Sequence, residues 1–382
     1  MKILYLYKDY YPVLGGIENY TRQLAEGMLE RGHSVEVLVT NTGRGTTHEN
    51  LNGVPVLKAG RWVNISSAPL SPGFAYAYLK RLYRVSDRPD IVHLQFPYPP
   101  GELAWLLGSY SQKFGPRRPR TVLTYHSDIV RQKKLLTVYA PFLRQVLKRV
   151  DVILATSPNY IESSLYLKPL AEKCRVVPLG VDVARFSQPE QVNSSFQPDA
   201  GPILLFAGRL RYYKGLQYLI KAMPEIRPDA RLVVVGVGPM EENLKALVVE
   251  LGLQQRVIFA GEVADEALPD YYAAADIFIL PACERSEAFG MVQLEAMAAG
   301  KPVISTELGT GTSYVNQDGL TGLVVPPHNA PALAHAANQL LADEQKRLEM
   351  GRRGQERARA EFSLLKMYDQ VETIYREVLA AK

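Results

Sequence analysis

The sequence predicts an α/β fold of two doubly wound domains with a cleft between them, and three observations lead to it. Short apolar runs alternate with segments of helical periodicity, the sequence pattern of a parallel sheet covered on both faces. The alternation occurs twice, and residues 187–202, rich in Pro, Ser and polar side chains with little period, separate the two series. The 382 residues, 47% of them hydrophobic, exceed what one core usually serves.

In the first series, strands are expected over 2–7 and 34–40 around a helix over 17–31. Ile17, Tyr20, Leu24 and Met28 recur there at helical spacing, and Gly32 supplies the stop. Further strands are expected over 90–94, 121–125, 152–156 and 175–178, giving a first domain over 1–186. After the linker at 187–202, strands over 203–207, 231–236, 256–260, 276–280, 303–305 and 322–325 define a second domain over 203–363. Helices follow over 330–342 and 343–360. The tail, 364–382, places Met367, Val371, Ile374, Tyr375 and Val378 on one helical stripe, which suits packing on either domain.

Charge and cysteine content narrow the function classes. Residues 1–190 hold 25 Lys+Arg against 15 Asp+Glu, a balance of +10, and residues 191–382 hold 19 against 24, or −5. Basic clusters at Lys80-Arg81, Arg84 and Arg88, at Lys113 to Arg120, and at Arg131 to Arg149 favour an anionic partner: membrane headgroups or a lipid-linked diphosphate. No nucleic-acid recognition motif accompanies them. Cys174 and Cys283 have no metal-like spacing and read as buried free thiols of a reducing compartment. With no long apolar run, a cytoplasmic protein that does not span the membrane is expected, with peripheral contact at its inner face.

The chemistry concentrates in a few places. Asp276-Ile-Phe-Ile-Leu-Pro281 reads as a buried strand and Met291 to Ala299 as a helix, so Glu287 falls in the loop between them and Glu295 inside the helix. The two carboxylates bracket free N–H groups and the positive end of a helix dipole, with Gly290 leaving the backbone approachable. That arrangement suits a phosphate between two groups that accept hydrogen bonds from sugar diols. Arg209 and Lys214, flanked by Gly208 and Gly215, can converge on a diphosphate from one loop. No Asp-x-Asp pair accompanies them, and these cations with helix N-termini can neutralise a departing diphosphate, so metal independence is expected. Gly15-Gly16 precedes the first helix, where close backbone approach to a ligand and a tight turn are both available readings. Gly236-Val-Gly238-Pro239 is a partial dinucleotide fingerprint lacking its third glycine. His126 directly follows a predicted strand, and Asp128 and Arg131 share its loop.

In order and spacing these pieces, with Pro178-Leu-Gly-Val-Asp182 and Gly322-Leu-Val-Val-Pro-Pro327, resemble the retaining glycosyltransferases of family 4 over nearly the whole chain. The wording around Tyr125 to Lys133 and Arg209 to Gly215 is similar to members that build bacterial surface polysaccharides, including mannosyltransferases. The resemblance implies a GT-B fold of two Rossmann-like domains, with the last helix crossing back to the first. It also implies transfer of a hexose from a nucleotide diphosphate sugar, GDP-mannose or a UDP-hexose, to a glycan or lipid-linked acceptor. Under it His126 borders the transferred sugar, and Arg209 and Lys214 meet the diphosphate. Glu287 clamps sugar hydroxyls, Glu295 holds the ribose, and Phe289, Gly290 and Met291 offer backbone N–H groups. Base and sugar are read by side chains near Pro239 and Val263. The rival readings are a sugar-nucleotide epimerase on the same plan and a non-catalytic polyanion-binding protein.

Overall fold

The computed structural model describes all residues except 14, 66–67, 87, 112–117, 129–132, 188–200 and 382, and its contacts divide the chain into two units. Arg131, part of the basic cluster at 113–120 and nearly all of the expected linker lie outside the described residues. The first unit comprises Met1–Thr156, Ser164–Val177 and Met367–Lys382. Its strands are β1 (Lys2–Leu6), β2 (Ser34–Thr40), β3 (Thr47–Leu51), β4 (Val54–Ala59), β5 (Val63–Ile65), β6 (Ala68–Leu70), β7 (Ile91–Phe96), β8 (Arg120–Tyr125), β9 (Val152–Ala155) and β10 (Cys174–Val176). Its helices before the tail are α1 (Gly16–Glu30), α2 (Pro72–Tyr83), α3 (Pro99–Ser111) and α4 (Lys133–Arg149). Eight strands form one sheet in the order β10, β9, β8, β7, β1, β2, β4, β3, and β5 and β6 pair separately.

The first sheet departs from an all-parallel expectation at its edge, where β3 pairs antiparallel with β4. Asn52 and Gly53 cause the reversal: both have positive φ, 51° and 84°, the two-residue turn geometry that matches strand twist. The remaining strands of this sheet are parallel. Right-handed crossovers from β4 to β7, β7 to β8 and β8 to β9 put α2, α3 and α4 on one face and α1 on the other.

The second unit comprises Ser157–Ser163 and Pro178–Lys366. It begins earlier than the boundary expected at 186, because Val181 bonds through its backbone to Phe362 and Leu364, which ties Pro178 onward to this unit. Its short leading helices are α5 (Pro158–Ser163) and α6 (Val183–Ser187). The sheet strands are β11 (Ile203–Ala207), β12 (Arg231–Val235), β13 (Val257–Gly261), β14 (Ile277–Leu280), β15 (Val303–Thr306) and β16 (Gly322–Val325), and they are covered by α7 (Leu216–Ala222), α8 (Glu241–Glu250), α9 (Leu268–Ala274), α10 (Met291–Ala298), α11 (Gly311–Val315), α12 (Ala330–Ala342) and α13 (Glu344–Glu361). All six strands are parallel, in the order β13, β12, β11, β14, β15, β16. They are apolar runs because helices bury both faces: Leu204, Phe206, Leu232, Val234, Ile277 and Ile279 belong to one core with Leu219, Ile220 and Leu340.

The last helix, α14 (Leu364–Ala380), joins the first unit from Met367 onward. Its Tyr375 hydroxyl lies 3.1 Å from that of Tyr5 and 2.5 Å from His93 Nδ1, and His93 Nε2 is 2.7 Å from Thr124 Oγ1. The Tyr368 ring occupies the space a side chain at Gly27 would need, with ring atoms 2.5 Å from an ideal Cβ. Arg31 adds ion pairs to Asp369 and Glu372 at 2.7 and 2.8 Å. Burial holds His93 well below the usual imidazole range, at about 3, so it works as a neutral hydrogen-bonding bridge.

Candidate active site

The sheet of the second unit reverses its winding between β11 and β14: β12 and β13 lie to one side, β15 and β16 to the other. Loops after β11 and β14 therefore diverge at the carboxyl ends of the strands, where open α/β sheets take their ligands. The loop after β11 carries Arg209 and Lys214, and that after β14 carries Glu287 and leads into α10. Parallel pairing of Leu204 with Ile277 and Leu205 with Phe278 sets the two loops side by side.

Lys214 and Glu287 meet there as an ion pair, Nζ to Oε2 at 2.6 Å, with side chains only 12% and 9% exposed. Burial alone would lower the ammonium pKa, but Glu287, with smaller contributions from Tyr213 and Glu295, more than offsets it, and the pKa of Lys214 is raised above its ordinary value. Its ammonium passes 3.6 Å from where a Cβ on Gly208 would be. Gly215 has φ +69°, and any Cβ there would sit 1.9 Å from the Pro281 carbonyl, so only glycine lets the two loops close on each other. The backbone of Glu287 is anchored by Thr310 Oγ1, which donates to its carbonyl at 2.9 Å. Arg209 is exposed, and among the described residues no ion pair includes it.

Gly290 caps α10 with φ +79°, and the N–H groups of Met291 and Val292 lie at the unpaired end of the helix. Phe289 is buried, and its carbonyl accepts from Gln293 Nε2 at 3.2 Å. One helical turn on, Glu295 is half-buried and accepts from the Tyr272 hydroxyl at 2.6 Å. Burial raises the Glu295 pKa, and the Tyr272 hydrogen bond and the charges of Arg185 and Lys214 act against that. Tyr272 and Arg185 escaped the sequence reading. Tyr272 lies in the last turn of α9, and nothing in its spacing shows that its hydroxyl turns toward a helix 20 residues later. Gly236 and Gly238 serve loop packing: a Cβ on either would strike Gly208 O or Leu210 O, at 2.2 and 2.5 Å. Val237 and Pro239 between and beside them are exposed, and Val263 is half-buried.

In the first unit the winding reverses between β1 and β7. Gly16 opens α1 with nothing within 4 Å of a Cβ, whereas the space over Gly15 is filled by the Glu18 carboxylate, 2.2 Å from an ideal Cβ. His126 is buried, its Nε2 donating to Gln95 Oε1 at 2.8 Å, and burial pulls its pKa to about 3. It is therefore neutral, a hydrogen-bonding group rather than a cation or a general acid. Asp128 accepts from Tyr125 and Ser164 at 2.8 and 3.0 Å and shapes the loop.

Sequence models of two families match most of the chain: "Glycosyltransferase Family 4" matches residues 14–185 and "Glycosyl transferases group 1" matches residues 187–357. The O-antigen chain mannosyltransferase C of Escherichia coli is 34% identical over the whole of both chains. The D-rhamnosyltransferase WbpZ of Pseudomonas aeruginosa is 37% identical over 95% of this chain and 92% of its own. Among solved structures, the sucrose-phosphate synthase of Thermosynechococcus elongatus superposes with a TM-score of 0.82 over all of both chains at 25% identity.

Proposed function

This chain belongs to glycosyltransferase family 4, with the GT-B fold, and we propose that it moves a manno-configured hexose from a nucleoside diphosphate to a glycan or lipid-linked acceptor of surface polysaccharide synthesis. It is a nucleotide-sugar-dependent glycosyltransferase, and its relatives lend no support to the epimerase or non-catalytic readings. Two relatives named for mannose and D-rhamnose favour the sugar, since these hexoses share ring stereochemistry and differ at C6.

The observation that carries the reading is the Lys214–Glu287 pair in the loop that leads into the N-terminus of α10. An ammonium has three protons; one serves Glu287, leaving others for the diphosphate. With Arg209 and the α10 N–H groups it neutralises the charge that develops as the bond from C1 to the phosphate oxygen breaks. The acceptor oxygen attacks C1 on the face the phosphate leaves, its proton passes to the departing phosphate oxygen, and the anomeric configuration is retained. Glu287 accepts from sugar hydroxyls, Glu295 from the ribose, and His126, whose one ring proton goes to Gln95, serves the transferred sugar as a neutral acceptor. We expect this without a metal ion, because Lys214 and Arg209 can neutralise the departing diphosphate in place of a divalent cation. Among the described residues no helix is long and apolar enough to cross a membrane. Contact with an anionic bilayer is proposed, and nucleic acid is not a proposed partner. A thermal-shift panel tests the donor. GDP-mannose at about 100 times its dissociation constant should add roughly 2.7 kcal/mol, and stabilisation by a UDP-hexose without any by GDP-mannose would overturn the manno assignment.

A further inference from the structure

Helices α2, α3 and α4, neighbours on one face of the first sheet, turn an unusual surface outward. On α2 the exposed positions are Pro72, Tyr76, Lys80 and Tyr83, with Arg84 and Val85 just beyond its end. On α3 they are Leu103, Leu107 and Tyr110, spaced by four and three residues and 48%, 55% and 44% exposed. This helix has no charged residue on its outer face. On the described part of α4, Arg144 and Lys148 are exposed, and Arg149 stacks its guanidinium 4.0 Å from the Tyr110 ring. Across the three helices the sequence holds one acid, Glu102, and it is 2% exposed, accepting from the Tyr98 N–H and the Tyr139 hydroxyl. α2 and α3 pack directly together, with Gly108 of α3 admitting Leu82 and Tyr78 of α2, so the rows are adjacent.

We propose that the outer face of α2, α3 and α4 is the surface by which this enzyme lies on an anionic lipid bilayer, Tyr76, Leu103, Leu107 and Tyr110 entering the headgroup boundary and Lys80, Arg144 and Lys148 meeting lipid phosphates. Leucines in water across a whole helix face are costly, and a bilayer interface covers them while leaving tyrosine hydroxyls wet. The lack of an exposed acid matches a negative surface. A second copy of this chain fits less well, because a two-fold contact through the patch would set its cations against themselves. The proposal rests on the glycosyltransferase reading only in that a lipid-linked acceptor would be presented at such a surface.

The test is sedimentation of the full chain with phosphatidylcholine vesicles, with and without phosphatidylglycerol, beside two double variants: Arg144→Gln with Lys148→Gln, and Leu103→Gln with Leu107→Gln. Wild type should prefer the anionic vesicles and lose the preference at high salt. Removal of each cation should weaken partitioning about fivefold, and removal of the leucines about tenfold. GDP and UDP affinity should be unchanged in both variants, which also reports their folding. Equal binding of wild type to both vesicles, wild-type binding by both variants, loss of nucleotide affinity together with vesicle binding in both, or a wild-type dimer dissolved by the substitutions would each overturn the proposal. A wild type that binds no nucleoside diphosphate would sink the donor reading and leave the vesicle result standing.

Discussion

Lys214 and Glu287 should be strongly coupled in stability before any ligand binds. Their 2.6 Å contact and side-chain exposures of 12% and 9% make this a nearly buried pair. Removing one partner strands the other charge at a cost of about 3–5 kcal/mol, whereas removing both is often close to neutral. Residual exposure favours the lower end, so Lys214→Met and Glu287→Gln should each cost about 3 kcal/mol and the double variant much less than the sum. Urea unfolding of the four ligand-free proteins at neutral pH measures it. The folded-state pKa of Lys214 is raised, so the lysine's contribution is fully present below the unfolded lysine value of about 10.4 and is lost only as pH climbs through the folded value above it. The cycle is therefore independent of pH between about 7 and 9. Single-variant costs that add within about 0.5 kcal/mol would refute the coupling. Truncating Lys214 should therefore lower stability as well as nucleotide affinity.

Tyr272→Phe keeps the ring packed on Phe186 and Phe278 but removes the bond to Glu295. Affinity for a ribonucleoside diphosphate should fall about tenfold, with the 2′,3′-dideoxy analogue binding both proteins alike. Calorimetry showing that the variant still discriminates between them would mean that Tyr272 does not position Glu295. His93 and His126, held at about 3 by burial, take up protons in the unfolded chain first, so stability should drop as pH falls below about 6.5, by up to about 1.4 kcal/mol per unit for each. Glu102, pushed by burial to about 7, acts oppositely and offsets one histidine down to about pH 4.3, below which the decline should steepen. Urea midpoints from pH 7 to 3.5 that stay level would contradict this. Product made in excess chelator should form at the usual rate and keep the donor's anomeric configuration; NMR of that product showing inversion, or the absence of product, would count against the metal-free, same-face reaction.

The sequence by itself determined the two doubly wound units, because a strand buried on both faces must be an apolar run and its bounding helices must end in turn residues. It also determined that Glu287 precedes a helix and Glu295 lies within it, since Pro281, Gly290 and Gly300 punctuate that segment. The Asn52-Gly53 turn was written there too, and it makes β3 antiparallel. Helices α2 and α3 carry no such signature, because Tyr76, Tyr83, Leu103 and Leu107 face outward and erase the polar side that marks a surface helix. Only the tertiary structure decided that Lys214 pairs with Glu287 and Tyr272 with Glu295. These partners lie far apart along the chain and meet through the pairing of β11 with β14 and the packing of α9 near α10, which no local periodicity encodes.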